Sequence, residues 1–127
     1  MSNKLVFVVD DSNTIRASLK YTLEKQGYEV VAANDGQDGL DKLEELKSNS
    51  KRPAMIIADI NMPRLDGIGF IKEVKKNPDF KFIPVLVLTT ESQDSMKMEG
   101  KKAGAAGWLV KPFQPDQLLG VVKKFVK

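Results

Sequence analysis

Met55-Ile56-Ile57-Ala58-Asp59-Ile60-Asn61-Met62-Pro63 decides the fold of this chain. An apolar run ends in one carboxylate, and a proline-containing loop follows at once. That pattern predicts a strand buried on both faces, with Asp59 carried at its C-terminal tip. A lone buried carboxylate is costly, so an acid placed there needs a partner, a metal or a task. Three other apolar runs end the same way. Leu5 to Val9 is followed by Asp10 and Asp11, Val85 to Leu88 by Thr89, and Trp108 to Val110 by Lys111.

Each apolar run alternates with a helical pattern. Ser12 is placed to cap a first helix with Ile15, Leu19 and Leu23 on one face, and Gly27 stops it. Tyr28 to Ala33 reads as strand two. Asn34-Asp35-Gly36 is a turn or cap, and Leu40, Leu43 and Leu46 mark helix two before a polar loop from Lys47 to Pro53. Leu65-Asp66-Gly67 opens helix three, with Phe70, Ile71 and Val74 inward, and Asn77-Pro78-Asp79 breaks it. Strand four runs from Ile83 to Leu88. A polar segment from Thr89 to Asp94 leads into a fourth helix, weakened by Gly100. The small residues Ala103 to Gly107 connect it to strand five. Pro115 suits a first helical position, and Leu118, Leu119, Val122, Phe125 and Val126 form the last apolar face.

Five strand–helix units predict an α/β, flavodoxin-like (βα)5 three-layer sandwich with parallel strand order 2-1-3-4-5. Ligands of such sheets bind at the carboxyl ends of the strands, where strand order reverses. The 127 residues are expected to form one domain, and a composition of 42% hydrophobic and 29% charged residues is that of a globular chain. With no cysteine and no histidine, thiol chemistry, disulfides and imidazole catalysis are excluded. A metal here must take oxygen ligands, which favours Mg²⁺, Ca²⁺ or Mn²⁺. The apolar residues near the N-terminus are too few for a signal peptide or a membrane span, so a cytoplasmic protein is expected.

Asp10, Asp11 and Asp59 together carry a charge of about −3, and Lys111 offsets one, leaving roughly −2. A divalent cation would neutralise that remainder. Phosphoryl transfer depends on positioning and charge neutralisation, and a carboxylate can serve as its nucleophile, so the absence of histidine is no obstacle. Each residue also has a plainer reading. Asp10-Asp11-Ser12 could be a helix cap, Asp59 a turn residue, Thr89 an ordinary strand residue and Lys111 a solvated surface lysine. Their common placement at strand ends is what favours a pocket.

The paired acids Asp10-Asp11, the acid Asp59, the Met62-Pro63 and Asp66-Gly67 loop, Thr89 and Lys111-Pro112-Phe113 resemble, in order, the response-regulator receiver domains of two-component signalling. The resemblance covers essentially the whole chain and implies a single receiver domain over 1–127 without an output domain. It implies that Asp59 takes a phosphoryl group from a histidine kinase's phosphohistidine. By the same resemblance Asp11, Asp59 and the backbone carbonyl of Asn61 hold Mg²⁺, for which Mn²⁺ can substitute, with Asp10 acting through water. Lys111 and Thr89 contact the phosphoryl group, Thr89 and Trp108 form a switch pair, and the Lys111–Pro112 bond is cis. Within the family the chain is most similar to the stand-alone chemotaxis regulators. Asn61 and Glu91 fit that subtype at positions that tune loss of the phosphoryl group. Trp108 stands where the best-known of them carry tyrosine, and the face with Asp94, Lys97 and Lys101 departs from a known motor-binding surface. The implied partners are a chemotaxis-type kinase, a flagellar motor switch protein or other target, and a phosphatase. A monomer is expected, without nucleic acid or membrane. Alternatives are a phosphorelay shuttle serving a histidine phosphotransfer domain, an aspartyl-nucleophile phosphohydrolase and a flavin carrier. The hydrolase expects a second aspartate where Asn61 stands, and the flavin carrier expects a Ser/Thr/Gly-rich phosphate loop where Asp10-Asp11 stands.

Overall fold

A computed structural model describes residues 4–60, 62, 65–89, 101 and 103–126. The elements run β1 (Leu5–Val9), α1 (Asn13–Lys25), β2 (Glu29–Ala33), α2 (Gly36–Ser48), β3 (Met55–Asp59), α3 (Gly67–Lys76), β4 (Val85–Thr89), β5 (Gly107–Val110) and α4 (Pro115–Phe125). The five strands form one parallel sheet in the order β2-β1-β3-β4-β5, as the alternation predicted.

The two-residue period of the strands divides the core into two layers. Leu5, Phe7 and Val9 of β1 lie with Leu43 and Leu46 of α2 and Phe70, Ile71 and Val74 of α3. Val6 and Val8 point the other way, to Leu19 and Leu23 of α1 and Leu118 and Val122 of α4. Every residue of β1, β3 and β4 is buried, which is why those strands read as unbroken apolar runs. Each large apolar side chain so buried contributes roughly 1.5–3 kcal/mol.

Caps set the helix starts that face the sheet's carboxyl end. The Ser12 hydroxyl accepts from the Ile15 amide at 3.2 Å, Asp35 from the Asp38 amide at 2.8 Å and Asp66 from the Gly69 amide at 2.8 Å. Pro115 occupies the first position of α4 as expected. Several boundaries differ from the sequence reading. Helix α2 continues through Lys47 to Ser48, because the Asn49 amide still finds the Glu45 and Leu46 carbonyls. Strand β2 begins at Glu29 and β4 at Val85. Thr89 is the last residue of β4, where it lies opposite Val110, and β5 starts one residue early at Gly107, opposite Leu86. Apolar character alone does not mark where ladder pairing begins.

The expected fourth helix falls largely on 90–100 and 102, outside the described residues. Asn61, Pro63, Glu91, Asp94, Met96, Lys97, Met98 and Gly100 also lie outside them. No helix among the described residues is long and apolar enough to cross a membrane.

Candidate functional site

Asp10, Asp59, Thr89 and Lys111 arrive at one end of the sheet because each ends or follows a parallel strand. Asp10 is completely buried and Asp59 is 5% exposed. Asp11 is exposed beside them. One carboxylate oxygen from each of Asp10, Asp11 and Asp59 lies within 4.8 Å of the others. The three acids expected to meet therefore do meet.

Lys111 is the cation of the cluster. Its Nζ lies 3.2 Å from Asp10 Oδ2 and 3.2 Å from Asp59 Oδ1. Burial pushes the Lys111 ammonium down, but the charges of Asp10 and Asp59, and then their hydrogen bonds, outweigh it and hold its pKa above the ordinary lysine value. The side chain is delivered by a tight backbone link, the Lys111 amide donating to the Thr89 carbonyl at 2.7 Å. The Lys111–Pro112 bond is cis, as the resemblance implied.

Asp10 is held from several directions. Its Oδ1 accepts from the Ser12 amide at 2.9 Å, its Oδ2 from Lys111, and its own amide donates to the Ala33 carbonyl at 3.1 Å. The Arg16 guanidinium donates to the Asp10 carbonyl oxygen and to Asn13 Oδ1. Asp59 sits on an equally constrained backbone. The next amide, Ile60, donates to the Leu88 carbonyl at 3.0 Å, and Gly67 donates to the Ile60 carbonyl at 2.9 Å. Gly67 presses so close that a Cβ there would stand 2.4 Å from the Asp59 carbonyl oxygen. Neither Arg16 nor Gly67 was expected to shape the pocket. Arg16 looks like any polar residue of an amphipathic helix, and Gly67 like a helix start.

Thr89 is fully buried and shares a sheet face with Val85 and Val87. Trp108 lies opposite Val87, on that same face, and packs as a half-buried ring against the layer of α2 and α3. Its buried indole Nε1 has no hydrogen-bond partner among the described residues. With Lys101, Ala105, Ala106 and Gly107 it lines a cavity of about 190 Å³. Asn61 and Glu91 are outside the described residues.

The donor set is chemically uniform. Three carboxylates offer hard oxygen atoms at close range, with one lysine to offset them, and this fits a hard divalent cation such as Mg²⁺.

The model of the response regulator receiver domain matches residues 6–123. The chain is 38% identical over 126 residues to the chemotaxis protein CheY of Thermotoga maritima, covering 98% of each chain. The solved chemotaxis protein CheY4 of Vibrio cholerae has the same fold at a TM-score of 0.86 and 43% identity, with 96% of this chain and 98% of that one covered. The chain is also 34% identical to the alkaline phosphatase synthesis transcriptional regulatory protein PhoP of Bacillus subtilis, over 98% of its own residues. It spans 49%, about half, of that relative's length.

Proposed function

This chain belongs to the response regulator receiver domain family of two-component signalling, and from that premise we propose that it is a switch activated by phosphorylation of Asp59. The observation that carries the reading is Lys111 Nζ, 3.2 Å from both Asp10 and Asp59 inside a cluster of three acids. A nucleophilic carboxylate here has a cation fixed beside it.

The reaction is a transfer between two proteins. A carboxylate oxygen of Asp59 attacks the phosphorus of a kinase phosphohistidine. The P–O bond forms as the N–P bond breaks, and the imidazole leaves with the electron pair and is protonated. Lys111 and the Thr89 hydroxyl meet the phosphoryl oxygens. Asp11, Asp59 and the carbonyl of Asn61 would hold Mg²⁺ or Mn²⁺, which supplies charge neutralisation between the acids and the incoming group. Asp10 already engages both its oxygens with Ser12 and Lys111, which supports a place for it one water away from the ion. The protein catalyses only its own phosphorylation and dephosphorylation, the latter tuned by Asn61 and Glu91.

The output is a change of surface. A phosphoryl group accepts hydrogen bonds strongly and draws the Thr89 hydroxyl toward it. Trp108 follows, because its Nε1–H has no described partner to hold the ring in place. The face formed by the segment before β5, β5 itself and the last helix then binds a protein target. The likeness to chemotaxis proteins favours a chemotaxis kinase as donor and a flagellar motor switch protein as target, in a monomeric cytoplasmic regulator open to a phosphatase. The likeness to PhoP favours a second reading, in which the same switch governs transcription.

Incubation with acetyl phosphate and Mg²⁺ should add one phosphoryl group by mass spectrometry. The gain should vanish without the divalent ion and in Asp59→Asn. A gain that persists in Asp59→Asn would overturn the assignment.

A further inference from the structure

Asp11 differs from the other two acids in how it is placed. It is exposed, and among the described residues its carboxylate makes no hydrogen bond or ion pair. Nothing but its backbone can aim it at Asp10 and Asp59, yet its oxygen lies within 4.8 Å of theirs.

Both peptide groups that flank Asp11 are anchored. The one before it presents the Asp10 carbonyl, which accepts from Arg16 Nη1. The one after it presents the Ser12 amide, which donates to Asp10 Oδ1 at 2.9 Å. Arg16 is itself fixed by Nη2 on Asn13 Oδ1, and its backbone amide closes the first turn of α1 on the Ser12 carbonyl at 3.0 Å. A guanidinium suits this task. Its planar fork supplies two donors in fixed relation, so one side chain ties the helix start to the loop that carries the acids. It also brings a delocalised positive charge next to an acid cluster that one lysine does not neutralise.

We propose that Arg16 is a positioning residue, which clamps the Asp10–Asp11 peptide and so aims the exposed Asp11 carboxylate into the cation site. This rests on the reading of the three acids as that site.

The test uses the full chain and three variants: Arg16→Ala, Arg16→Lys and Asn13→Ala. Mg²⁺ affinity is read by calorimetry, exchange of the Ser12 amide by NMR on metal-free protein, and folding by urea denaturation. Alanine is a good helix former, so Arg16→Ala should keep α1. Residues that orient metal ligands typically carry 10–100-fold in affinity, so Arg16→Ala should weaken Mg²⁺ roughly tenfold. The Ser12 amide should exchange faster in that variant without any metal present. Arg16→Lys restores one donor and should recover part of both losses, and Asn13→Ala should cost less than Arg16→Ala. Wild-type affinity together with unchanged Ser12 exchange in Arg16→Ala would overturn the clamp while leaving the cation site standing. A loss that lysine does not relieve, and that follows the fall in folding stability, would overturn it too. Absence of Mg²⁺ binding by the wild-type chain would instead remove the site itself, and the clamp's function with it.

Discussion

Lys111 and Lys75 are both half-buried, at opposite ends of the same sheet, and they meet opposite environments. At the carboxyl end the Lys111 ammonium touches two carboxylates, and its pKa is held up against burial. At the amino end the Lys75 ammonium donates to the Lys81 and Ile83 carbonyls, both at 2.9 Å, and burial lowers its pKa. Each end also has a crowded glycine. Gly67 abuts the Asp59 backbone, whereas Gly104, at φ +111°, lies against the Lys75 stem. The amino end is a polar tether whose needs are met within the chain. The carboxyl end gathers more negative charge than its lysine offsets, and that surplus is what a divalent cation can neutralise.

The glycines should separate the two ends most clearly. A Cβ on Gly67 would sit 2.4 Å from the Asp59 oxygen and 2.6 Å from the Ile60 Cα, both backbone atoms that cannot swing aside. Gly67→Ala should cost about 3 kcal/mol by urea denaturation and slow phosphorylation of whatever folds. Gly104→Ala strains a left-handed backbone but meets only a flexible stem, so it should cost about 1 kcal/mol and leave phosphorylation intact. Equal losses from the two would erase the contrast.

The lysines come next. Lys111→Met leaves the acids without their cation. Removing one member of a buried pair costs several kcal/mol, and the residual exposure of Lys111 reduces this to about 2 kcal/mol in metal-free protein. Millimolar Mg²⁺ should recover much of that loss, because binding to the folded state stabilises it by mass action. Lys75→Met abandons two carbonyls that solvent can partly reach, for about 1 kcal/mol, and Mg²⁺ should change nothing. Chemical denaturation with and without Mg²⁺ checks both, and an equal Mg²⁺ effect on Lys75→Met would refute a cation site confined to the carboxyl end.

The smallest effect is in pH, and its sign differs between the two. The folded pKa of Lys111 is raised, so its stabilisation is complete below the unfolded lysine pKa of about 10.4 and is lost as pH rises through the folded value. The folded pKa of Lys75 is lowered, so the unfolded chain holds its proton longer and stability rises with pH over the interval just below about 10.4. Stability measured from about pH 8 to pH 11 should show each variant departing from the wild type in opposite directions.

The sheet and its functional end were legible from the chain alone. Short apolar runs alternating with helical patterns read as strands of a parallel sheet, and a polar residue closing each run must then emerge at a common edge. Asp10, Asp59, Thr89 and Lys111 follow from that logic, because the two-residue period and burial are local properties of the sequence. Other features depend on atoms far apart in the chain. The two contacts of Lys111 Nζ require β1, β3, β4 and β5 to stand side by side in the sheet. The closeness of Gly67 to the Asp59 carbonyl depends on the path of a returning loop. Arg16 is only six residues from Asp10, yet its contact with the Asp10 carbonyl depends on how α1 leaves the loop after β1, which the apolar pattern does not fix. Hydrophobic pattern decides which face a residue takes. Which donor meets which carbonyl is a matter of tenths of an ångström, and only the packed tertiary structure sets that.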